Sequence, residues 1–189
     1  LARIAVSEKN YSQAMDYYQQ ADSVVTDFKI KDGLVDLYVE MGDQEKAMTL
    51  QKQIIEQMTK ESQDANSDEN IGHYVDKELA YAYMKINDYD KALAHALLEY
   101  NRRPDNIDVN ECLAWVYYSK GEYQKALPYI KTALKTNSKN PVLLCRAGLI
   151  FAKTGEKPIA KSMLMEGLQK NANMENALRS QSRSTLQSL

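Results

Sequence analysis

Apolar residues recur along this chain at the spacing of one face of an α-helix. In one segment Leu113, Ala114 and Tyr117 place a leucine, a small residue and an aromatic residue at i, i+1 and i+4. Residues with this spacing lie on the same side of a helix. Polar residues, glycine or proline separate the apolar stretches. The pattern predicts an all-α chain with helices at 1–8, 11–25, 28–41, 44–62, 72–86, 89–101, 107–120, 123–136, 141–153, 157–170 and 174–187.

The apolar pattern is also repeated. Five similar segments each contain an alanine in the same place, and the spacings between these alanines are 33, 45, 34 and 34 residues. A period near 34 indicates stacked units of two helices each. Glycine or asparagine stands five residues before four of the alanines, which predicts a left-handed turn between the two helices of a unit. The alanines, called register alanines below, are Ala14, Ala47, Ala92, Ala126 and Ala160.

The longer spacing of 45 residues indicates an insertion between the second and third alanines. The last predicted helix has a partly apolar stripe and many polar residues, which is typical of a terminal cap. We therefore predict one continuous array over residues 1–174 and a capping helix at 175–189. The array consists of a partial unit 1–27, units at about 28–61, 73–106, 107–140 and 141–174, and an insertion loop at 62–72.

The repeated Leu–small–aromatic helix, the left-handed turn and the alanine resemble the tetratricopeptide repeat family. The resemblance is strongest over 73–174, whereas the tryptophan that the family often has near the start of the first helix is replaced by other residues. The resemblance implies a right-handed superhelical solenoid of antiparallel helix pairs. It also implies that ligands bind in the concave groove lined by the first helices of successive units.

The groove residues can be assigned from their distance to each register alanine. Aromatic residues are predicted at the centre of the groove and acidic residues toward one edge, which favours a peptide with apolar anchors. The alternative is that some of the aromatic side chains pack between helices. The lysine and asparagine pairs by which chaperone-tail-binding members of the family hold a carboxylate are missing, so we reject that function. The predicted partner-binding residues are Asp32, Asp36, Tyr74, Lys77, Tyr81, Met84, Asp108, Glu111, Trp115 and Tyr118.

The charge is small overall and unevenly distributed. The chain has a net charge of −2, without the basic surplus that phosphate binding requires, so we expect no nucleic-acid partner. Residues 1–100 carry 10 Lys and Arg against 19 Asp and Glu, whereas residues 101–189 carry 14 against 7. This asymmetry could steer a charged partner or favour head-to-tail self-association. The alternative is uneven surface charge with no such role.

Residues suited to catalysis or metal binding are sparse. The two histidines stand alone, the two cysteines are expected to be free thiols, and no phosphate-loop, dinucleotide, zinc-protease or nucleophile-elbow motif is present. We predict no enzyme activity, no cofactor and no metal. The most apolar stretch, 142–152, is shorter than a membrane span of about 20 residues and contains Arg146.

The sequence therefore predicts a soluble, non-catalytic protein-interaction scaffold, either cytoplasmic or exported, that binds a peptide or partner protein in its groove. Alternatives are a structural or self-associating module, or a regulatory domain of a larger protein. Because the chain begins at Leu1 inside a predicted helix, we expect further sequence before it.

Overall fold

A computed structural model describes residues 1–25, 27–66, 75–170 and 174–189, and within these ranges the chain contains helices and turns but no strand. The all-α fold class of paired helices is confirmed. The helices are α1 (Ala2–Ser7), α2 (Tyr11–Val24), α3 (Phe28–Glu40), α4 (Gln44–Asn66), α5 (Asp76–Lys85), α6 (Tyr89–Arg102), α7 (Ile107–Ser119), α8 (Tyr123–Ala133), α9 (Pro141–Thr154), α10 (Lys157–Lys170) and α11 (Asn176–Ser188).

Two helices end differently from the prediction. Helix α4 continues to Asn66, so the first residues of the predicted insertion loop 62–72 are helical and 67–72 lie outside the described residues. The extra turn, 63–66, contains no glycine or proline, and its alanine and glutamine are good helix formers. Helix α8 stops at Ala133 and tightens into a 3₁₀ turn before Asn137, which adopts a left-handed conformation at φ 54°.

Each helix pair turns through the same backbone corner. The residue five before each register alanine has φ between 59° and 91°. The N–H of the next residue donates to the carbonyl five residues earlier, at 2.8–3.0 Å, which satisfies a carbonyl at the end of the helix. The left-handed turns predicted from glycine and asparagine are confirmed, and the structure adds a lysine at the first corner. The five residues are Lys9, Gly42, Asn87, Gly121 and Gly155.

Side chains at the start of several helices satisfy the exposed N–H groups there. Asn106 accepts from the N–H groups of Asp108 and Val109 at 3.0 and 3.1 Å, and Asn140 accepts from that of Val142 at 2.9 Å. Asparagine is among the preferred residues at this position. These caps fix the starts of α7 and α9, two of the helices that carry the candidate site.

The chain forms two compact units, residues 1–75 with 85–87 and residues 76–84 with 88–189. In the first unit, α1 packs on α2, α2 on α3 and α3 on α4. In the second unit, each helix from α6 to α11 packs on the next, and α11 also contacts α9. All five register alanines are at most 4% exposed, because they lie where paired helices approach closely. The division of the whole chain into one continuous array stays a prediction.

An ionic network joins the start of α5 to the end of α6 within the second unit. Asp76 and Glu99 are 6% and 1% exposed. Glu99 accepts hydrogen bonds from Arg102 and Arg103, while Asp76 accepts from Arg102 and lies 2.7 Å from Nδ1 of His95. Glu99 stands seven residues after its register alanine, where three other helix pairs have the small residues Ala21, Ala133 and Gly167. Its paired arginines explain how a carboxylate can be buried there.

Candidate functional site

Helix α7 presents four of the predicted residues on one face. Asp108, Glu111, Trp115 and Tyr118 follow one another at spacings of three, four and three residues, which keeps them on one side of the helix. Asp108 is exposed, Glu111 and Trp115 are partly exposed, and Tyr118 is buried. The face that α7 forms together with the first helices α5 and α9 of the second unit is called the first-helix face below.

Arg146 on α9 contacts side chains of both other helices of this face, α5 and α7. Its Nη1 donates to Oη of Tyr81 at 3.0 Å and to Oε1 of Glu111 at 2.8 Å. Its guanidinium carbon lies 5.1 Å from the ring centre of Tyr81 and 5.2 Å from that of Trp115. A cation over two aromatic rings, with a carboxylate partner, is held by cation–π attraction and by a charged hydrogen bond. These contacts link α5, α7 and α9.

Burial and charge fix the protonation states in this cluster. Burial alone would lower the pKa of Arg146, but Tyr81 and Glu111 raise it above its ordinary value, so the guanidinium remains charged. Burial raises the pKa of Tyr81, and Arg146 lowers it only in part, so the phenol remains neutral. Burial also raises the pKa of the Cys112 thiol to about 12. The cluster therefore contains one cation and one carboxylate partner beside neutral phenol and thiol groups.

Tyr118 supports Trp115 from within the unit. The two rings stack with centres 4.8 Å apart and planes within 8° of parallel. Tyr118 is only 7% exposed, and its Oη accepts from Nε2 of Gln181 on α11 at 3.1 Å. Burial raises the pKa of Tyr118 to about 12. Of the central aromatic residues, Trp115 and Tyr81 remain partly exposed, whereas Tyr118 packs between helices and holds Trp115 in place.

The other predicted residues of the second unit surround this cluster. Lys77 is partly exposed, and its Nζ lies 3.7 Å from Oε1 of Glu78. Met84 is partly buried against the core formed by α5, α6 and α7. Tyr74, which the sequence also assigns to the groove, lies outside the described residues.

The predicted acidic residues of the first unit have a cationic partner. Asp32 and Asp36 lie on α3, and Nζ of Lys85 donates to both at 2.6 and 2.7 Å. Asp32, Asp36 and Lys85 all belong to the first unit. Because Glu111 is likewise paired with Arg146, much of the predicted acidic edge is neutralised by the chain's own cations. Only Asp108 among the four acidic candidates has no ion pair in the described part of the chain.

Arg146 is a residue of the candidate site that the sequence pattern missed. It was visible only as a charge interrupting the apolar stretch 142–152. A charged residue on a face predicted to be apolar indicates a buried ion pair, because an unpaired buried charge is costly. The pattern could not identify its partners, since Tyr81 and Glu111 stand 65 and 35 residues earlier.

Metal-holding clusters and membrane-spanning helices are both missing from the part of the chain that the structure describes. Among the described residues, no group of three or more His, Cys, Asp or Glu side chains is arranged to hold a metal ion. Both cysteines are buried free thiols, as predicted. No helix in the described ranges has the length and apolar character needed to cross a bilayer.

Comparison with known proteins gives a consistent result for the fold. A family model described as tetratricopeptide repeat matches residues 113–142. Human IFIT1, solved as a dimer with PPP-AAAA, is similar at 16% identity and a TM-score of 0.56 over all of this chain and 44% of IFIT1. This chain thus spans less than half of IFIT1. No curated protein is significantly similar in sequence.

Two smaller proteins are similar over nearly the whole chain at lower TM-scores. MamA from AMB-1 is 18% identical, with a TM-score of 0.44 and 95% of each chain covered. YrrB, a TPR protein with an unusual peptide-binding site, is 13% identical, with a TM-score of 0.46 over 97% of this chain and 88% of YrrB.

Proposed function

Since this chain is a protein of the tetratricopeptide repeat family, we propose that it is a non-catalytic scaffold whose first-helix face binds a peptide or partner protein. Proteins of this family typically mediate protein–protein interaction. The predicted aromatic groove supplies the location, because its two partly exposed aromatic residues, Tyr81 and Trp115, lie on first helices of the second unit.

The arrangement of Arg146 between Tyr81 and Trp115 is the observation that carries this proposal. Arginine, tyrosine and tryptophan are the residue types that contribute most to binding energy at protein interfaces. Here the three side chains are already fixed by hydrogen bonds and ring contacts, and Tyr118 supports Trp115 from below. Fixed side chains lose little entropy when a partner binds, which favours binding.

Selection of peptides from a random displayed library tests this function. We expect the wild type to enrich a family of related peptides, and Trp115→Ala to weaken their binding at least about tenfold, as removal of an interface anchor does. Tyr100→Ala is the matched control, because it removes a partly buried aromatic ring from the second helix α6. Circular dichroism must show both variants folded. Enriched peptides that bind Trp115→Ala as well as wild type would contradict the proposal.

The charge asymmetry supports a second candidate, a self-associating structural module. Residues 1–100 have a net charge of −9 and residues 101–189 a net charge of +7. The acidic part of one copy attracts the basic part of another, and salt weakens this attraction. If this candidate is correct, light scattering over a concentration series will show association at low salt that is lost by 0.5 M salt. A monomer at every concentration would rule out this second candidate. A regulatory role within a larger protein stays a prediction.

A further inference from the structure

The Arg146–Glu111 pair retains unused hydrogen-bonding capacity on the first-helix face. Both N–H groups of Arg146 Nη1 are already used, one by Tyr81 and one by Glu111. Nε of Arg146 is buried without a partner. Nη2 donates to no acceptor among the described residues, and Oε2 of Glu111 accepts from no donor there. The side chains of Arg146 and Glu111 are each 14% exposed, and neither of these two atoms is among the fully buried ones without a partner, so each keeps some contact with solvent.

The two side chains of this 2.8 Å ion pair therefore keep one unpaired donor and one unpaired acceptor. We propose that this pair binds a carboxamide group, the side chain of an asparagine or glutamine in the partner. A carboxamide has one carbonyl acceptor and one NH₂ donor on neighbouring atoms. Its oxygen would accept from Nη2 of Arg146, and its NH₂ would donate to Oε2 of Glu111. The inference rests on the proposed function, because it assigns a ligand group to the same face.

Charge distinguishes a carboxamide from the other polar groups of a peptide. The Arg146–Glu111 pair has no net charge, so it offers no overall attraction to an ion. A partner carboxylate would approach the carboxylate of Glu111, and a partner ammonium would approach the guanidinium of Arg146, and both encounters are repulsive. A neutral carboxamide satisfies both unpaired atoms without either repulsion. Arg146 is held by two rings and two hydrogen bonds, so the site is formed before the partner arrives.

The test uses peptides enriched by wild type in the displayed library, synthesised without tryptophan. Trp115 is the only tryptophan of the chain and lies 5.2 Å from Arg146, so its emission reports binding at this site. Each enriched peptide is compared with versions in which its Asn or Gln is replaced by the isosteric Asp or Glu, or by Leu. We expect wild type to bind the carboxamide version at least about tenfold more tightly than either replacement, since unmatched polar groups weaken binding strongly.

The variant Glu111→Gln is expected to reverse the ligand preference of wild type. Its amide can still accept from Nη1, but the site becomes positively charged. We expect the variant to bind the Glu or Asp version more tightly than the carboxamide version, reversing the preference of wild type. Circular dichroism and thermal melting confirm that the variant is folded.

The possible failures are distinguishable. Enriched peptides without Asn or Gln, equal binding of the Leu version, or an unchanged preference in Glu111→Gln would overturn the carboxamide site while peptide binding stands. If no peptide is enriched by wild type over Trp115→Ala, the proposed function fails, and the carboxamide site fails with it.

Discussion

Replacing Leu113 by alanine is expected to lower the free energy of unfolding by about 2–5 kcal/mol, the range for large-to-small changes in a packed core. Leu113 is fully buried on α7 and packs in the cluster that joins α5, α6 and α7. Its neighbours include Ala80, Ala92 and Ala96. Such short side chains cannot extend to fill the space that the leucine leaves, so most of the cavity would remain.

Leu98→Ala provides the matched control for this measurement. Leu98 lies on α6 in the same unit but is 49% exposed, so the same chemical change removes little buried surface. The expected change is within about 0.5 kcal/mol. Urea unfolding followed by circular dichroism compares the two variants. Equal destabilisation by both would show that the predicted register places the wrong face of α7 in the core.

Replacing Arg146 by methionine is expected to cost about 3 kcal/mol, because removing one partner of a buried ion pair leaves the other charge uncompensated. The side chain of Glu111 is only 14% exposed and would lose its cation. Methionine keeps most of the side-chain volume, so the loss reflects charge and hydrogen bonding more than packing. The emission of Trp115 should also change, since the cation over its ring is removed.

The double variant Arg146→Met with Glu111→Leu isolates the cause. It removes both charges, and replacing a whole buried pair by apolar residues is often close to neutral. We therefore expect it to be more stable than Arg146→Met alone, with a coupling energy of about 1–3 kcal/mol in the double-mutant cycle. A single variant as stable as wild type, or a double variant no more stable than the single one, would refute the uncompensated charge as the cause.

The sequence predicted the features of the fold that depend on neighbouring residues. A helix face, a capping asparagine and a left-handed corner each involve a few consecutive positions, so the repeat reveals them directly. Each register alanine likewise indicates close packing within its own helix pair. For these reasons the helices and four of the corners agree closely with the prediction, and the fifth corner, at Lys9, stands at the same distance from its register alanine.

The candidate site was less predictable because its contacts join distant positions. Spacing alone placed Tyr118 on the groove, but the structure buries it in a core cluster, where its hydroxyl accepts from Gln181 of α11, 63 residues away in sequence. Arg146 acquires its role only when α5, α7 and α9 come together. Glu99 looked like an exception to the repeat, and its arginine partners on the following turn explain the exception. In each case the residue that contacts the side chain is not part of the repeated sequence pattern.

The five matching corners have an evolutionary consequence. Each corner is fixed by its own residues, with one left-handed position and one hydrogen bond back across five residues, and it needs nothing from other helix pairs. Glycine, asparagine or lysine can occupy the left-handed position of this turn. A gene encoding such helix pairs can gain a copy of one pair while the turns of the other pairs stay unchanged. Selection can then alter the face of the new pair while its geometry is inherited intact.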